Sequence, residues 1–166
     1  MKEEKTIIEL YNEIIPPNNY EFRRDFDNTE LVNSLSEENK TLIENLLIKD
    51  LENNEDILLI ETLAKIGSKK SVELIKKKLI NNKNLNERII ISYSIYFLTK
   101  DTDMIREAYE SFLKIDDKYS KVSMFYYLAK FNVLEIKNLI SRFVEDEDFL
   151  VSYNAKRAIE TIKLDN

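Results

Sequence analysis

The 166-residue chain is long enough to bury one hydrophobic core, and its 43% content of hydrophobic residues excludes intrinsic disorder. It contains no cysteine and no histidine, which excludes disulfides, thiol catalysis, zinc sites built on cysteine and Ser-His-Asp chemistry. Its net charge of −6 opposes binding to nucleic acid, because that affinity depends on Lys and Arg neutralising phosphates. We therefore expect a protein that is not an enzyme and that uses no cofactor and no metal.

Glycine and proline are too scarce for a protein built from β-sheets. The chain holds one glycine, Gly67, and one proline pair, Pro16-Pro17. Hairpin turns and phosphate-binding loops require several glycines, so the fold class is predicted to be all-α. No apolar run approaches the roughly 18 residues of a membrane span, and the charged beginning does not resemble a signal peptide. These features predict a cytoplasmic protein without a membrane partner.

The first predicted helix runs from Glu4 to Ile15, where isoleucine and leucine recur at helical spacing. Pro16-Pro17 end it, because proline lacks a backbone donor and disfavours helix in the residue before it. The segment Asn18–Asn28 shows no helical period and mixes aromatic with charged residues. Two interpretations stay open: a loop that binds a partner, or a cap whose aromatic residues cover the end of a repeat array.

Ser36 is a good N-cap for the next long helix, which is predicted to reach Lys49 or Leu51 with Leu42 facing inward. A shorter helix is expected before it, at Thr29–Leu35. The chain is predicted to form a single domain, 1–166. Residues 1–52 would supply its N-terminal capping helices and irregular segment, and residues 53–166 its repeats.

Seven further helices are predicted in residues 53–166, with loops of two to five residues that force antiparallel neighbours. Gly67 is expected to end the first of them, and Asn84 and Asn132 are interpreted as N-caps with a glutamate three residues later. The predicted helices are Asp56–Ile66, Ser71–Ile80, Leu85–Leu98, Thr102–Leu113, Lys118–Lys130, a helix from Asn132 to Val144, and Phe149–Ile162. We expect about eight to nine helices in the whole chain.

Three segments of the chain can be laid over one another. These segments are Ser68–Ile80, Lys100–Leu113 and Phe131–Val144. They place Leu79, Phe112 and Phe143 at matching positions, 33 and then 31 residues apart. A period of this length with two helices per repeat predicts a short α-solenoid of antiparallel helix pairs, a fold that presents broad binding surfaces.

The stretch from Asn53 to Leu164 resembles HEAT repeats. The resemblance rests on Leu63–Gly67 (LAKIG) at a helix end, on the aliphatic spacing of Val72–Leu79, and on Val151–Ile159, where a valine precedes small residues and a final aliphatic. It implies stacked pairs of antiparallel helices. The chain differs from that family in its aromatic content and in lacking a proline within each first helix. An irregular helical bundle is therefore the alternative arrangement.

A small, acidic, HEAT-like chain rich in Asn, Lys and Ile also resembles immunity proteins of bacterial toxin–immunity systems, including contact-dependent inhibition. This resemblance implies a monomer that binds and neutralises a cognate toxin domain. The charge is uneven, since residues 1–66 carry −9 and residues 67–166 carry +3. An acidic end can steer a basic partner during encounter. A chance asymmetry of solvated helix faces is the alternative explanation.

We expect the partner to contact two groups of residues. Near the irregular segment they are Tyr20, Glu21, Asp25, Phe26, Asp27 and Glu30, and on the second helices of the repeats they are Arg106, Glu107, Glu110 and Arg142. Tyr and Arg are favoured because they dominate binding hot spots. Two other functions stay open: a general scaffold or adaptor, and a HEAT-like nucleic-acid-binding protein that uses the basic run Lys76–Lys78.

Neighbouring carboxylates recur along the chain, at Asp25/Asp27, Asp101/Asp103, Asp116/Asp117 and Glu145–Asp148. Each group falls in a predicted loop or at a predicted helix N-terminus. Exposed amides and the helix dipole favour negative charge at such places. The pattern therefore predicts capping, and a metal site or a catalytic carboxylate pair is the alternative.

Overall fold

The computed structural model describes residues 5–164, which form eleven α-helices, one 3-10 turn and no β-strand. The prediction of an all-α fold is confirmed. The helices are α1 (Ile7–Ile14), α2 (Tyr20–Arg23), α3 (Thr29–Asn33), α4 (Glu37–Asn53), α5 (Ile57–Ile66), α6 (Val72–Asn81), α7 (Leu85–Thr99), α8 (Asp103–Leu113), α9 (Lys118–Ala129), α10 (Leu134–Ser141) and α11 (Phe149–Glu160). They outnumber the predicted eight to nine; α3 lies where a shorter helix was expected at Thr29–Leu35, whereas α2 was not predicted. The predicted start at Glu4 lies outside the described residues.

The helices pack as two compact units, one ending at Ile75 and the other beginning at Lys76. The division falls inside α6, whereas the sequence predicted one domain with an internal boundary at residue 52. The single-domain organisation and its repeat boundary stay predictions.

In the N-terminal unit, α4 and α5 pack on each other, α1 packs on α4, and α3 packs on α5. Ile43, Leu47 and Leu51 recur every four residues along α4 and are fully buried. A stripe with this spacing covers one side of a helix and requires an apolar neighbour. α5 supplies that neighbour with Leu59 and Leu63, which are also fully buried.

Three caps mark helix ends of this unit, and two of them, Ser36 and Gly67, were predicted from the sequence. The Ser36 hydroxyl accepts a hydrogen bond from the backbone N–H three residues later (3.2 Å) and begins α4. The Asp56 carboxylate accepts one from the N–H two residues later (3.0 Å) and begins α5. Gly67 ends α5 in the left-handed conformation, with φ of +84°. All three satisfy backbone groups that a helix end leaves unpaired.

In the C-terminal unit, α7, α9 and α11 lie side by side and run parallel. The Asn86 side-chain amide donates to the Ser120 hydroxyl (3.1 Å), which joins the beginnings of α7 and α9. The Lys118 ammonium donates to the Asp148 carboxylate (2.7 Å), which joins the beginnings of α9 and α11. The connections are short, so α8 and α10 run antiparallel to the helices before them.

Three phenylalanine rings, from α8, α9 and the turn that follows α10, pack against one another in this unit. The ring centroids of Phe112, Phe125 and Phe143 lie 5.4–5.7 Å apart in all three pairs. Tilted and edge-on contacts at such distances are favourable for aromatic rings. Phe112 and Phe143, which occupy matching positions in the repeated segments, thus touch. The solenoid arrangement and the HEAT resemblance of the chain stay predictions.

The predicted N-cap role of Asn132 is wrong. Val133 occupies the N-cap position of α10, and Asn132 adopts the left-handed conformation with φ of +53°. Asparagine tolerates that conformation better than most residues, so it turns the chain instead of capping the helix. Its side-chain oxygen accepts a hydrogen bond from the backbone N–H of Lys163 (3.1 Å), which connects the end of α9 to the end of α11.

Candidate protein-binding surfaces

The segment predicted to be irregular contains one helical turn. α2 begins after Asn19, whose side-chain oxygen accepts a hydrogen bond from the N–H of Phe22 (3.1 Å). A single turn has no apolar period that could be read from the sequence. The segment is therefore a folded element that presents a defined surface.

Arg23 anchors this segment to the body of the N-terminal unit. Its guanidinium donates to the Asp56 carboxylate from two nitrogens (2.7 and 3.3 Å), and its Nε donates to the carbonyls of Pro16 (2.8 Å) and Pro17 (3.2 Å). The two charged side chains are only 16% and 6% exposed. A paired guanidinium and carboxylate of this kind hold a fixed geometry.

Asn28 supplies a second anchor and is completely buried. Its amide nitrogen donates to the carbonyl of Ile14 (3.1 Å) and to the hydroxyl of Thr62 (2.8 Å), while its oxygen accepts from the Lys65 ammonium (2.8 Å). Its amide hydrogens and its oxygen are therefore hydrogen-bonded, as a buried amide requires. This network joins the segment to α1 and α5.

Asp27 also serves the fold of the segment. The hydrogen bond from Lys65 (2.7 Å), followed by those from the hydroxyl and N–H of Thr29, holds the pKa of the Asp27 carboxyl well below its usual range. The same oxygen accepts all three bonds. As predicted for neighbouring carboxylates, this one stabilises the beginning of a helix.

Four further candidates of the segment point outward. Tyr20 is 74% exposed, with the Arg24 guanidinium 5.8 Å from its ring centroid, and Glu21, Asp25 and Glu30 are exposed. The structure therefore brings Tyr20, Glu21 and Asp25 to the surface on and beside one helical turn. Their role as partner contacts stays a prediction.

Phe26, the sixth candidate here, is partly buried, whereas its neighbour Phe22 is 51% exposed. The sequence analysis did not propose Phe22. Phe22 follows Tyr20 by two residues on α2. A single helical turn is too short for a periodic pattern, so the sequence does not show that Phe22 is exposed and Phe26 is covered.

The four predicted contact residues of the C-terminal unit differ in their exposure to solvent and in their hydrogen bonds within the protein. Arg106, Glu110 and Arg142 are exposed, and Arg106 donates to Asp103 on its own helix (2.9 Å). Glu107 is partly buried, and one carboxylate oxygen accepts two hydrogen bonds from Arg88 and one from Ser111. Glu107 therefore ties α8 to α7, and its predicted role in partner binding is untested.

A surface that the sequence analysis missed lies on α9 and α11. We call it the aromatic face, and it consists of Tyr119, Tyr126, Phe149 and Tyr153. Phe149 is 79% exposed and Tyr119 is 64% exposed, and the other two are also exposed. One signal in the sequence could have indicated this surface: Tyr119 and Tyr126 are seven residues apart, about two helical turns, and therefore lie on the same side of α9.

Two contacts keep the helices of the aromatic face together. The Lys118–Asp148 ion pair joins their first turns, and it lowers the pKa of the Asp148 carboxyl. Further along, the Tyr126 hydroxyl donates to the side-chain oxygen of Asn154 (2.7 Å). The rings of Phe149 and Tyr153 stack with centroids 5.8 Å apart. The exposed rings are thus held by the fold and do not hang freely in solvent.

No protein-family model, curated protein or solved structure matches this chain. Within residues 5–164, no group of three or more carboxylates is arranged to hold a metal ion. The same residues contain no helix that is both long and apolar enough to cross a lipid bilayer.

Proposed function

We propose that this protein is a non-catalytic module that binds another protein, and that the aromatic face is its principal contact. The observation that carries the proposal is the exposure of Phe149, Tyr153, Tyr119 and Tyr126 on two helices that are locked together. Monomeric proteins rarely leave neighbouring large apolar groups uncovered unless they are used for binding. Tyr and Phe are enriched in interfaces, where buried rings contribute most of the affinity.

We further propose that the partner is a bacterial toxin domain, which the protein neutralises as an immunity protein in the cytoplasm. Residues 1–75 contain 9 Lys and Arg against 17 Asp and Glu, a net charge of −8. An acidic unit of this kind accelerates encounter with a basic partner and suppresses encounter with an acidic one. A nuclease-like toxin has the required positive charge, because its substrate is a polyanion.

Binding of single-stranded nucleic acid is the second candidate function, because exposed rings flanked by basic residues can stack on bases. The charges beside the aromatic face disfavour it. Lys118 is paired with Asp148, Lys156 with Glu145, and Arg157 with Glu160. Basic groups that are already neutralised release few counterions from a polyanion, and such release supplies most of the affinity.

Co-expression with the toxin domain encoded by the neighbouring gene tests the proposal. We expect the chain to restore growth and to form a complex with that domain in size-exclusion chromatography. A general scaffold or adaptor would bind a partner of the host cell but would not protect cells from the toxin. Binding to a single-stranded oligonucleotide that weakens steeply with salt would favour the nucleic-acid alternative.

Two matched variants show which surface binds. Phe149→Ala removes an exposed ring of the aromatic face, and Tyr20→Ala removes one from the N-terminal unit. We expect Phe149→Ala to weaken the complex by about tenfold or more, the size of a hot-spot loss, and Tyr20→Ala to have a much smaller effect. Loss of protection with Tyr20→Ala alone would move the contact to the predicted segment. Full protection by both variants would contradict both assignments.

A further inference from the structure

A groove of about 420 Å³ lies between α1 and α4, within the N-terminal unit. Its lining is mostly apolar and includes Ile8, which is 56% exposed, and Leu46, which is partly buried. The volume falls within the range of binding sites, but the groove is open to solvent. It therefore suits side chains presented by another surface better than a free molecule that must be enclosed.

The course of the groove suits a helix. On α4 its lining extends from Leu46 to Asn53, which is almost two turns and about 10 Å along the helix axis. On α1 the lining residues Ile8 and Tyr11 lie one turn apart. A trough that follows one helix for two turns accepts a third helix, whose aliphatic side chains insert at spacings of three and four residues.

Asp50 places a carboxylate in this apolar lining. Its Oδ2 accepts a hydrogen bond from the Tyr11 hydroxyl (2.6 Å), and its Oδ1 accepts a long one from the side-chain amide of Asn54 (3.5 Å). Burial, followed by the hydrogen bond to Asp50, raises the pKa of the Tyr11 hydroxyl, so this hydroxyl remains a donor at neutral pH. Both partners of the carboxylate are therefore neutral.

The charge of Asp50 has no counterion within residues 5–164, although its side chain is partly buried. A carboxylate can accept about four hydrogen bonds, so Asp50 retains capacity for a further donor. A cationic donor forms the stronger, charge-assisted bond. The groove thus combines an apolar surface with an acceptor suited to a positive charge.

The two helices that form the groove are acidic. Together α1 and α4 contain seven Asp and Glu and two Lys, a net charge of −5. Of the two lysines, Lys40 pairs with Glu37, and Lys49 lies in the groove lining with an exposed side chain. A surface of this charge attracts a basic segment and repels an acidic one.

We propose that this groove binds an amphipathic helix of a partner protein that carries an arginine beside its apolar stripe. The aliphatic side chains of that helix pack on Ile8 and Leu46, and the guanidinium donates to Asp50. Arginine fits better than lysine, because its planar fork can pair with a carboxylate through two hydrogen bonds. The contact is separate from the aromatic face and does not require the partner to be a toxin.

Titration of the full chain with a synthetic helical peptide tests the proposal. The probe is a blocked, alanine-based peptide of about 16 residues, long enough to form a helix, with leucines at helical spacing and arginine beside them. We expect saturable amide chemical-shift changes at Ile8, Leu46 and Asp50. The matched control carries citrulline, which keeps the shape of arginine without its charge, and should bind at least about tenfold more weakly.

Three results of the peptide titration would overturn the proposal. Equal binding of the arginine and citrulline peptides would remove the role of Asp50, and the absence of saturable shifts in the groove would remove the site. Concentration-dependent shifts of the groove amides in the chain alone would show that a second copy occupies it. Shifts confined to the aromatic face would also exclude the groove, and would leave the proposed function of that face intact.

Two variants separate the charge of the groove from its apolar surface. Asp50→Asn removes the charge and keeps an oxygen that can accept the hydrogen bond from Tyr11. We expect it to weaken binding of the arginine peptide by about tenfold, and to remove the difference between the arginine and citrulline peptides. Ile8→Ala shortens a side chain that is 56% exposed, so the fold should persist, and should weaken binding of both peptides by about fivefold.

Glu52→Gln is the matched control for Asp50→Asn, because Glu52 is an exposed carboxylate of the same helix that does not line the groove. It should change binding by less than about twofold. Equal weakening by Glu52→Gln and Asp50→Asn would show a general charge effect and overturn the site. Circular dichroism checks that each variant is folded, and the citrulline comparison tests the charge on the unaltered chain.

Lys49→Gln determines which sign of charge the groove recognises. Removal of this ammonium should leave binding of the arginine peptide unchanged or strengthen it by up to about threefold. A peptide with glutamate in place of arginine should give no saturable shift. Binding of the glutamate peptide that is lost in Lys49→Gln would assign the groove to an acidic partner and overturn the proposal.

Discussion

The guanidinium of Arg23 donates two hydrogen bonds to the carboxylate of Asp56, which lies 33 residues further along the chain. Asp56 also begins α5 by accepting a hydrogen bond from the N–H of Leu58 (3.0 Å). One carboxylate therefore joins the segment that carries Tyr20 to the first turn of a core helix. This ion pair and the buried network around Asn28 together fix the orientation of the segment.

Arg23→Ala should destabilise the protein by about 3 kcal/mol, because it leaves the carboxylate of Asp56 buried without a charged partner. Urea unfolding followed by circular dichroism measures this loss. Arg24→Ala is the matched control, since the Arg24 side chain is 66% exposed, and we expect it to change stability by less than about 0.5 kcal/mol.

The double variant Arg23→Met, Asp56→Asn should be less destabilised than Arg23→Ala, because no unpaired charge stays buried and asparagine is also a good N-cap. Equal and small losses for Arg23→Ala and Arg24→Ala would contradict the anchoring role of the pair.

The stability contributed by Asp27 should depend on pH. Its pKa is lowered in the folded protein by the hydrogen bond from Lys65, so the charged carboxylate stabilises the fold above the unfolded pKa of about 3.9. That contribution is lost as the pH falls from this value through the lower folded pKa. Because the side chain is largely exposed, Asp27→Asn should cost about 1 kcal/mol or less at neutral pH.

Urea unfolding of the wild type and Asp27→Asn at about pH 7 and about pH 3 measures the effect, and the difference between the two proteins should shrink at the lower pH. In a Lys65→Met background the same substitution should show less pH dependence. An unchanged difference at both pH values would rule out this linkage.

Gly67→Ala should destabilise the protein by about 1 kcal/mol. The cost comes from the backbone alone, because φ at Gly67 is +84° and an added Cβ would meet no atom within 4 Å. Gly67→Asn should cost less, since asparagine tolerates this conformation. Thermal unfolding of both variants gives the comparison, and a greater loss for asparagine would disprove the explanation.

Ser92 and Ser94 form a natural pair of buried hydroxyls on α7. The Ser94 hydroxyl donates to the carbonyl of Ile90 (3.0 Å), whereas the Ser92 hydroxyl has no hydrogen-bond partner among the described residues. Ser92→Ala should raise stability by up to about 1 kcal/mol, because it removes an unsatisfied group. Ser94→Ala loses a hydrogen bond and should be the less stable of the two. The order of their melting temperatures decides the point.

Phe112→Ala and Phe149→Ala should differ in their effect on stability, because one ring belongs to the core and the other to the aromatic face. Phe112 is 1% exposed and Phe149 is 79% exposed. Phe112→Ala should cost about 3–5 kcal/mol because it leaves a cavity beside Phe125 and Phe143. Phe149→Ala should change stability by less than about 0.5 kcal/mol. A large loss of stability on Phe149→Ala would show that this ring supports the fold, and would weaken the case for a binding surface.

The helix ends were predictable because their signals are local. Ser36, Asp56 and Gly67 interact with backbone groups only a few residues away. The residue type at one position therefore indicates where a helix begins or ends. Asn132 shows the limit, since the same residue type serves an N-cap or a left-handed turn.

Side-chain exposure was less predictable. Leu42 was predicted to face inward, yet it is exposed, and so are Phe97 on α7 and Leu113 on α8. A stripe at helical spacing defines a side of one helix and does not show how much of that side a neighbour covers. The aromatic face was missed for the same reason.

Sequence alone was sufficient for the all-α class, the approximate position of each long helix and caps such as Ser36 and Gly67, because backbone hydrogen bonding and side-chain periodicity act over a few residues. Tertiary packing decided that Arg23 pairs with Asp56, that Phe149 faces solvent, and that Tyr11 donates to Asp50. The two pairs join residues that are 33 and 39 positions apart in the sequence. Whether they meet, and whether Phe149 is covered, depends on which helix faces pack together and not on any local pattern.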